Sequence, residues 1–180
     1  QLIELRSRLI KSIIFLFLTF IICYIFSDKI YNFLVDPYAQ AVKDDGNNRR
    51  LIFTALHETF LTYLKLAFFS AFFFSCPLIL IQIWKFIAPG LYKDEKLALF
   101  PFLVATPILF LLGGMLVYYL IMPIAIKFFL SFESVSVNGS LPIQLEAKVN
   151  EYLSLVMRLI LAFGISFQLP VFLTLLAKVG

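Results

Sequence analysis

The sequence predicts an all-α fold, a polytopic membrane bundle of four kinked helices forming a single transmembrane domain over residues 1–180. Three observations predict it. Four long apolar runs lie at about Leu9–Phe26, Leu66–Ile87, Leu97–Ile126 and Tyr152–Ala177, each near or beyond the ~20 residues a helix needs to cross about 30 Å of hydrocarbon. Hydrophobic residues make up 62% of the chain and charged residues 14%, against roughly 45–50% and ~25% in soluble domains. Prolines interrupt three of the runs, at Pro77, at Pro101 and Pro107, and at Pro170, where each removes a backbone donor and bends its helix. The mean hydropathy of +0.96 agrees, and no length remains for a large soluble domain.

The first run begins after Arg6, Arg8 and Lys11 and leads into Ser27-Asp28-Lys29. No small-x-small pattern follows it, so it reads as a retained span rather than a cleaved leader. The segment from Ser27 to about Lys65 reads as an external loop. Asp44-Asp45-Gly46-Asn47-Asn48 is a turn signal, and Phe53, Leu56, Phe60, Leu61 and Leu64 recur at helical spacing, predicting a short amphipathic helix on the outer membrane surface. A short link with Lys93 and Lys96 joins spans two and three. Gly113-Gly114 thins span three and lets a neighbour approach closely. A second, polar external loop runs from about Ser131 to Asn150 and contains Asn138-Gly139-Ser140.

Basic residues set the expected orientation. One side holds Arg6, Arg8, Lys11, Lys85, Lys93, Lys96 and Lys178; the other holds Lys29, Lys43, Arg49, Arg50, Lys127 and Lys148. The numbers nearly balance, but charge close to span ends and in short loops counts most, which puts both ends of the chain in the cytoplasm. The net charge of +4 reads as membrane anchoring rather than nucleic-acid binding. Cys23 and Cys76 lie inside apolar runs without metal-ligand spacing, and the single histidine, His57, has no neighbouring Cys or second His. No metal or other cofactor is expected. There is no nucleophile elbow or phosphate-binding loop, and the four spans contain no Asp or Glu, so nothing points to an enzyme.

Two polar residues stand inside the last span. The stem of Arg158 is long enough to carry its charge outward. Gln168 lies about 15 Å further along at ~1.5 Å per residue, beside the carbonyl of Ser166 that Pro170 leaves without its helical donor. Two roles stay open for it: a local hydrogen bond, or a contact to a partner helix shared with Pro170. On the cytoplasmic side, Glu4, Asp94 and Glu95 are acids among bases, and either solvated turn charges or a binding patch would account for them.

Three stretches carry a family resemblance. Leu2-Ile3-Glu4-Leu5-Arg6-Ser7-Arg8-Leu9, the run from Gln82 through Trp84, Pro89, Gly90, Leu91, Tyr92, Lys93 and Asp94 to Glu95 and Lys96, and Ala162-Phe163-Gly164-Ile165-Ser166-Phe167-Gln168-Leu169-Pro170 resemble TatC, the multispanning subunit of the twin-arginine protein translocase. Pro37, Glu58, Phe60, Tyr119, Pro123 and Tyr152 also fall where that family's pattern puts them, with Pro37, Phe60, Pro77, Pro89, Tyr119 and Pro123 in structural roles. The resemblance implies a receptor in a bacterial-type cytoplasmic (inner) membrane. It would bind the twin-arginine signal peptides of folded precursor proteins, assemble as a homo- or hetero-oligomer with single-span TatA/TatB-like partners, and draw on the proton-motive force. Glu4 and Glu95 would recognise the arginines, with Leu5, Arg6, Leu91, Tyr92 and Lys93 shaping the patch.

The chemistry suits that role, because carboxylates meet guanidiniums in bidentate geometry. A pair at about 4 Å and an effective dielectric of 20 gains roughly 4 kcal/mol before desolvation, whereas repulsion at about 15 Å in water costs only about 0.3 kcal/mol. Two carboxylates that converge therefore outweigh the surrounding bases. Relatives often carry Glu where this chain has Gln168, which hydrogen-bonds but holds no titratable proton, and small or apolar residues where it has Arg158. The family normally has six spans, so a chain stopping after the fourth resembles its N-terminal portion. A small secondary transporter or channel with broken helices is the competing reading; it calls for polar groups deep in several spans and an internal repeat, and the sequence offers only Gln168 and Arg158. A scaffold that merely packs partner helices would leave the acids dispensable.

Overall fold

The computed structural model describes residues 2–43, 50–87, 93–133 and 143–179. The turn at Asp44–Asn48, the link residues Pro89, Leu91 and Tyr92, and Asn138–Ser140 lie outside them. Helices account for nearly all of the described chain: α1 (Leu2–Ile25), α2 (Ser27–Lys43), α3 (Glu58–Ile87), α4 (Lys93–Leu116), a π-helical turn (Val117–Ile121), α5 (Met122–Leu130), α6 (Val149–Ser166) and α7 (Leu169–Val179). Four stretches are long and apolar enough to cross a membrane: Arg6–Ile25, Glu58–Ile83, Val104–Leu130 and Val149–Thr174. The large apolar side chains of α1 are mostly exposed, Phe17 at 62% and Ile13 at 55%, as expected of a helix facing lipid on most of its circumference. Hydroxyls on it turn inward to the backbone, Ser12 donating to Arg8 O at 3.0 Å and Thr19 to Phe15 O at 2.8 Å, which removes unpaired polar groups from hydrocarbon.

The expected surface helix at Phe53–Leu64 is a correction. The amphipathic element is α2, and the residues from Phe53 to His57 precede the helix instead. One carboxylate oxygen of Glu58 accepts from Thr54 N at 2.9 Å, Thr54 Oγ1 at 2.9 Å and Ala55 N at 3.2 Å. That clasp folds the preceding turn back on the start of α3, so Phe60, Leu61 and Leu64 belong to the spanning helix. In α2, Leu34, Pro37, Tyr38, Ala41 and Val42 are buried, the i, i+3, i+4, i+7, i+8 stripe of a helix lying across a bundle.

Pro37 cannot donate to the carbonyl of Phe33 four residues back. The Tyr118 hydroxyl donates to that oxygen at 2.6 Å, and the rings of Phe33 and Tyr118 stack with centroids 4.3 Å apart. Tyr152 donates to the next carbonyl, Leu34 O, at 2.9 Å. Two phenols from separate spans thus hold α2 over the bundle. A second proline shapes the Tyr118 side: Pro123 denies Tyr119 O its usual donor, and the preceding turn widens so that Met122 N bonds Val117 O in the π pattern. At the same end the two connecting segments pair, Ile52 N donating to Ala147 O at 3.1 Å and Val149 N to Ile52 O at 3.2 Å.

α3 runs antiparallel to α1, whose end at Tyr24 and Ile25 shares a cavity with Thr59 and Tyr63 at the start of α3, and to α4, which follows it after a short link. Phe20 of α1 meets Phe68 of α3, and Phe73 of α3 meets Phe110 of α4 at 5.2 Å between centroids. α4 and α6 cross almost backbone to backbone. A Cβ added at Gly113 would lie 2.8 Å from Phe163 O and 3.0 Å from Gly164 Cα, and one at Gly164 would lie 2.7 Å from the Phe110 ring. No side chain fits there without parting the helices.

Gly113→Ala is expected to cost about 1–3 kcal/mol by overpacking, and more than Gly114→Ala, whose added Cβ meets side chains alone, the movable Phe73 ring at 3.0 Å and Ile160 Cγ2 at 3.5 Å. Thermal unfolding of the two variants in detergent checks the order. Tyr118→Phe should lower the melting temperature by about 2–4 °C per kcal/mol lost, and Pro37→Ala, which supplies the missing N–H, should recover part of that loss. A double variant as unstable as the sum of its parts would refute the pairing.

Candidate functional site

Helix direction decides where the candidate residues stand. From Phe20 back to Leu2, α1 runs about 27 Å, against about 29 Å from Phe68 to Ile87 of α3; from Phe110 back to Lys93, α4 runs about 26 Å, against about 21 Å from Phe73 to Ile87, each at ~1.5 Å per residue. The two contacts lie about 7.5 Å apart along α3, and the lengths on either side of each agree to within about 5 Å. The starts of α1 and α4 and the end of α3 therefore lie at one end of the bundle, opposite α2.

Glu4 and Leu5 sit in the first turn of α1, and Lys93 and Glu95 in the first turn of α4; the positions of their side chains lie outside the described residues. Arg6 is exposed. Two helices open at this end, each with acids in its first turn: Glu4 in one, Asp94 and Glu95 in the other. An end with acidic residues on separate helices is suited to cationic ligands carrying more than one charge.

A second polar feature lies within the spans. The helix of the last span is interrupted at Phe167–Gln168, ahead of Pro170. Gln168 Nε2 donates to Thr106 O of α4 at 2.8 Å. Thr106 is 1% exposed, and its hydroxyl donates to Phe102 O at 2.8 Å. Ser166 donates to Ala162 O at 2.7 Å. The Gln168 amide thus spends one donor inside the chain, one helical turn or so from the glycine crossing. Leu169 and Pro170 are exposed just beyond the break. Arg158 is exposed on α6; helical side chains lean toward the helix N-terminus, which directs its stem toward the polar end near Val149.

Of the residues expected to have structural roles, Pro37 is buried in α2 and Pro77 is half-buried in α3. Phe60 lies with Tyr24, Thr59 and Tyr63 around a cavity where α1 ends. Tyr119 stands in the π turn, edge-on to Tyr118 at 4.9 Å, and Pro123 opens α5. Sequence reasoning missed Phe33 and Tyr118. The signal for Phe33 was present, since Pro37 points to the carbonyl four residues back; nothing in the sequence named its partner 85 residues away.

Comparison with known proteins follows the same lines. The pattern of the family described as Sec-independent protein translocase protein (TatC) matches residues 1–180. A Sec-independent protein translocase protein TatC from Magnetococcus marinus is 48% identical over 180 residues, covering 100% of this chain and 63% of that protein. One from Rickettsia prowazekii is 45% identical over 176 residues, covering 98% and 68%, and one from Escherichia coli is 36% identical over 180 residues, covering 100% and 66%. The chain thus spans about two thirds of the length of these relatives. A crystal structure described as the twin arginine translocase receptor TatC superimposes with a TM-score of 0.81 at 33% identity, covering 98% of this chain and 74% of that one. A second, in DDM, gives 0.82 at 34% identity, covering 99% and 76%. The chain belongs to the TatC family of Sec-independent protein translocase proteins.

Proposed function

We propose that the chain is the signal-peptide-reading portion of a twin-arginine translocase receptor. Its Glu4 and Glu95 carboxylates grip the two guanidiniums of the signal peptide, and Leu5, Arg6, Leu91, Tyr92 and Lys93 shape the surrounding patch. The single observation that carries this reading is that α1 and α4 open at the same end of the bundle, each with acids in its first turn. The likeness to structures described as a twin arginine translocase receptor supports it. The patch faces the cytoplasm in this reading, because Arg6, Arg8, Lys93 and Lys96 crowd the span ends and the short link there, in a bacterial-type inner membrane. Assembly with single-span TatA/TatB-like proteins would use the exposed break at Leu169 and Pro170, beside the Gln168 amide. Transport itself, driven by the proton-motive force, is a property of that assembly.

Binding of a labelled twin-arginine peptide to the purified chain in lipid nanodiscs tests the grip. Glu95→Arg should weaken binding at least about a hundredfold, equivalent to losing roughly 3 kcal/mol, while leaving thermal stability within about 0.5 kcal/mol as expected of a surface change. Undiminished affinity would sink the assignment. For the partner surface, a cysteine at Pro170 should crosslink to a cysteine in the span of a co-expressed TatB-like protein, and one at the lipid-exposed Phe17 of α1 should not. Equal crosslinking at both positions would argue against a defined contact.

A further inference from the structure

A groove beneath α2 is left unused by the signal-peptide reading. It has a cavity volume of about 470 Å³, within the ~300–1,000 Å³ of ordinary small-ligand sites, and is walled by Phe69, Phe73, Leu111, Met115 and Ile160. Lys29, Tyr118 and Tyr119 also line it. Its apolar walls suit an extended alkyl chain.

The level of the rim matters. Lys29 lies in the first turn of α2, just past the point where the spanning helix α1 ends at Ile25, so it stands at the boundary between hydrocarbon and headgroups. Its ammonium lies over the Phe26 ring, 5.3 Å from the centroid, and the residue is exposed. Tyr118 and Tyr119 are the amphipathic aromatics found at that depth. Ser70 lines the groove at 3% exposure, and its hydroxyl has no hydrogen-bond partner among the described residues. On the far side of the Phe33–Tyr118 stack lies a second cavity of about 510 Å³, lined by Asn32, Asp36, Gln40 and Lys127. Apolar space and polar space thus adjoin across one pair of rings.

We propose that this groove is a binding site for a phospholipid of the leaflet on the α2 side, with an acyl chain between α3 and α4 and the phosphate on Lys29. The occupant follows from the charge and depth of the rim: an anion above, a slender apolar chain below, and a membrane that supplies molecules with both. The proposal depends on the chain spanning a membrane and is independent of the signal-peptide reading.

The test is lipid retention. The full chain, extracted in mild detergent and exchanged through a second one, is analysed for bound phospholipid by native mass spectrometry. The unaltered chain should keep a single phospholipid. Met115→Trp, which fills the chamber from its lipid-exposed side, should abolish retention, with Leu111→Phe as the milder filling variant should the first fail to accumulate. Lys29→Gln should weaken retention about fivefold, the worth of one basic residue near a membrane surface. Lys43→Gln, at the far end of α2, should leave it unchanged. A chain that carries no phospholipid, equal retention in the filled variants, or crosslinking of Met115→Cys to a protein segment with the groove empty of lipid would overturn the proposal.

Discussion

The packing of α3 between two antiparallel neighbours is the constraint from which the rest of the molecule follows. Phe20 against Phe68 on one side, and Phe73 against Phe110 on the other, tie three spans together at two levels about 7.5 Å apart on α3. Because helices rise by a fixed amount per residue, this antiparallel packing determines which ends share a face. It gathers the openings of α1 and α4 at one end and leaves the other end to α2 and the paired connecting segments. The glycine crossing of α4 with α6 then adds the fourth span so closely that backbone touches backbone. In a membrane, where apolar burial between helices is weak, such close approach supplies much of the attraction.

The prolines show how the bundle meets the demand that every backbone polar group in hydrocarbon be satisfied. Each solution differs. The carbonyl freed by Pro37 accepts the Tyr118 hydroxyl. Ahead of Pro123 the backbone widens into a π turn with an i−5 bond. Ahead of Pro170 the helix ends and restarts, and Gln168 reaches across to α4. The first and third ties join elements far apart in sequence, so the same residues that bend helices also lock the bundle together. The Glu58 clasp and the Ile52–Lys148 pairing do similar work at the polar end, where loops rather than helices carry the chain.

The spans were legible in the sequence because an apolar run of about 20 residues has few other uses. Their number and order stand, and Pro77, Pro101 and Pro107 lie inside helices as read. α2 was not legible: its apolar stripe is diluted by polar residues, and Pro37 reads as a breaker when its compensating hydroxyl comes from a distant residue. The Phe53–Leu64 pattern misled because its apolar spacing continues into α3, while only its acidic member, Glu58, marks the true start. The reading of Glu4 and Glu95 as a pair came from the family resemblance alone. Nothing local distinguishes an acid in a first helical turn from a solvated one, and the opening of two such turns at one end of the bundle is a property of the tertiary packing.

The central claim is that the openings of α1 and α4 come close enough for their acids to share one ligand. Cysteines placed at positions 4 and 95 in membranes, treated with a bifunctional reagent spanning about 10 Å, roughly one interhelical distance, test this most directly. The account predicts an intramolecular crosslink that a twin-arginine peptide suppresses and a twin-lysine peptide suppresses far less. Failure to crosslink, or labelling of the two cysteines from opposite sides of the membrane, would contradict it.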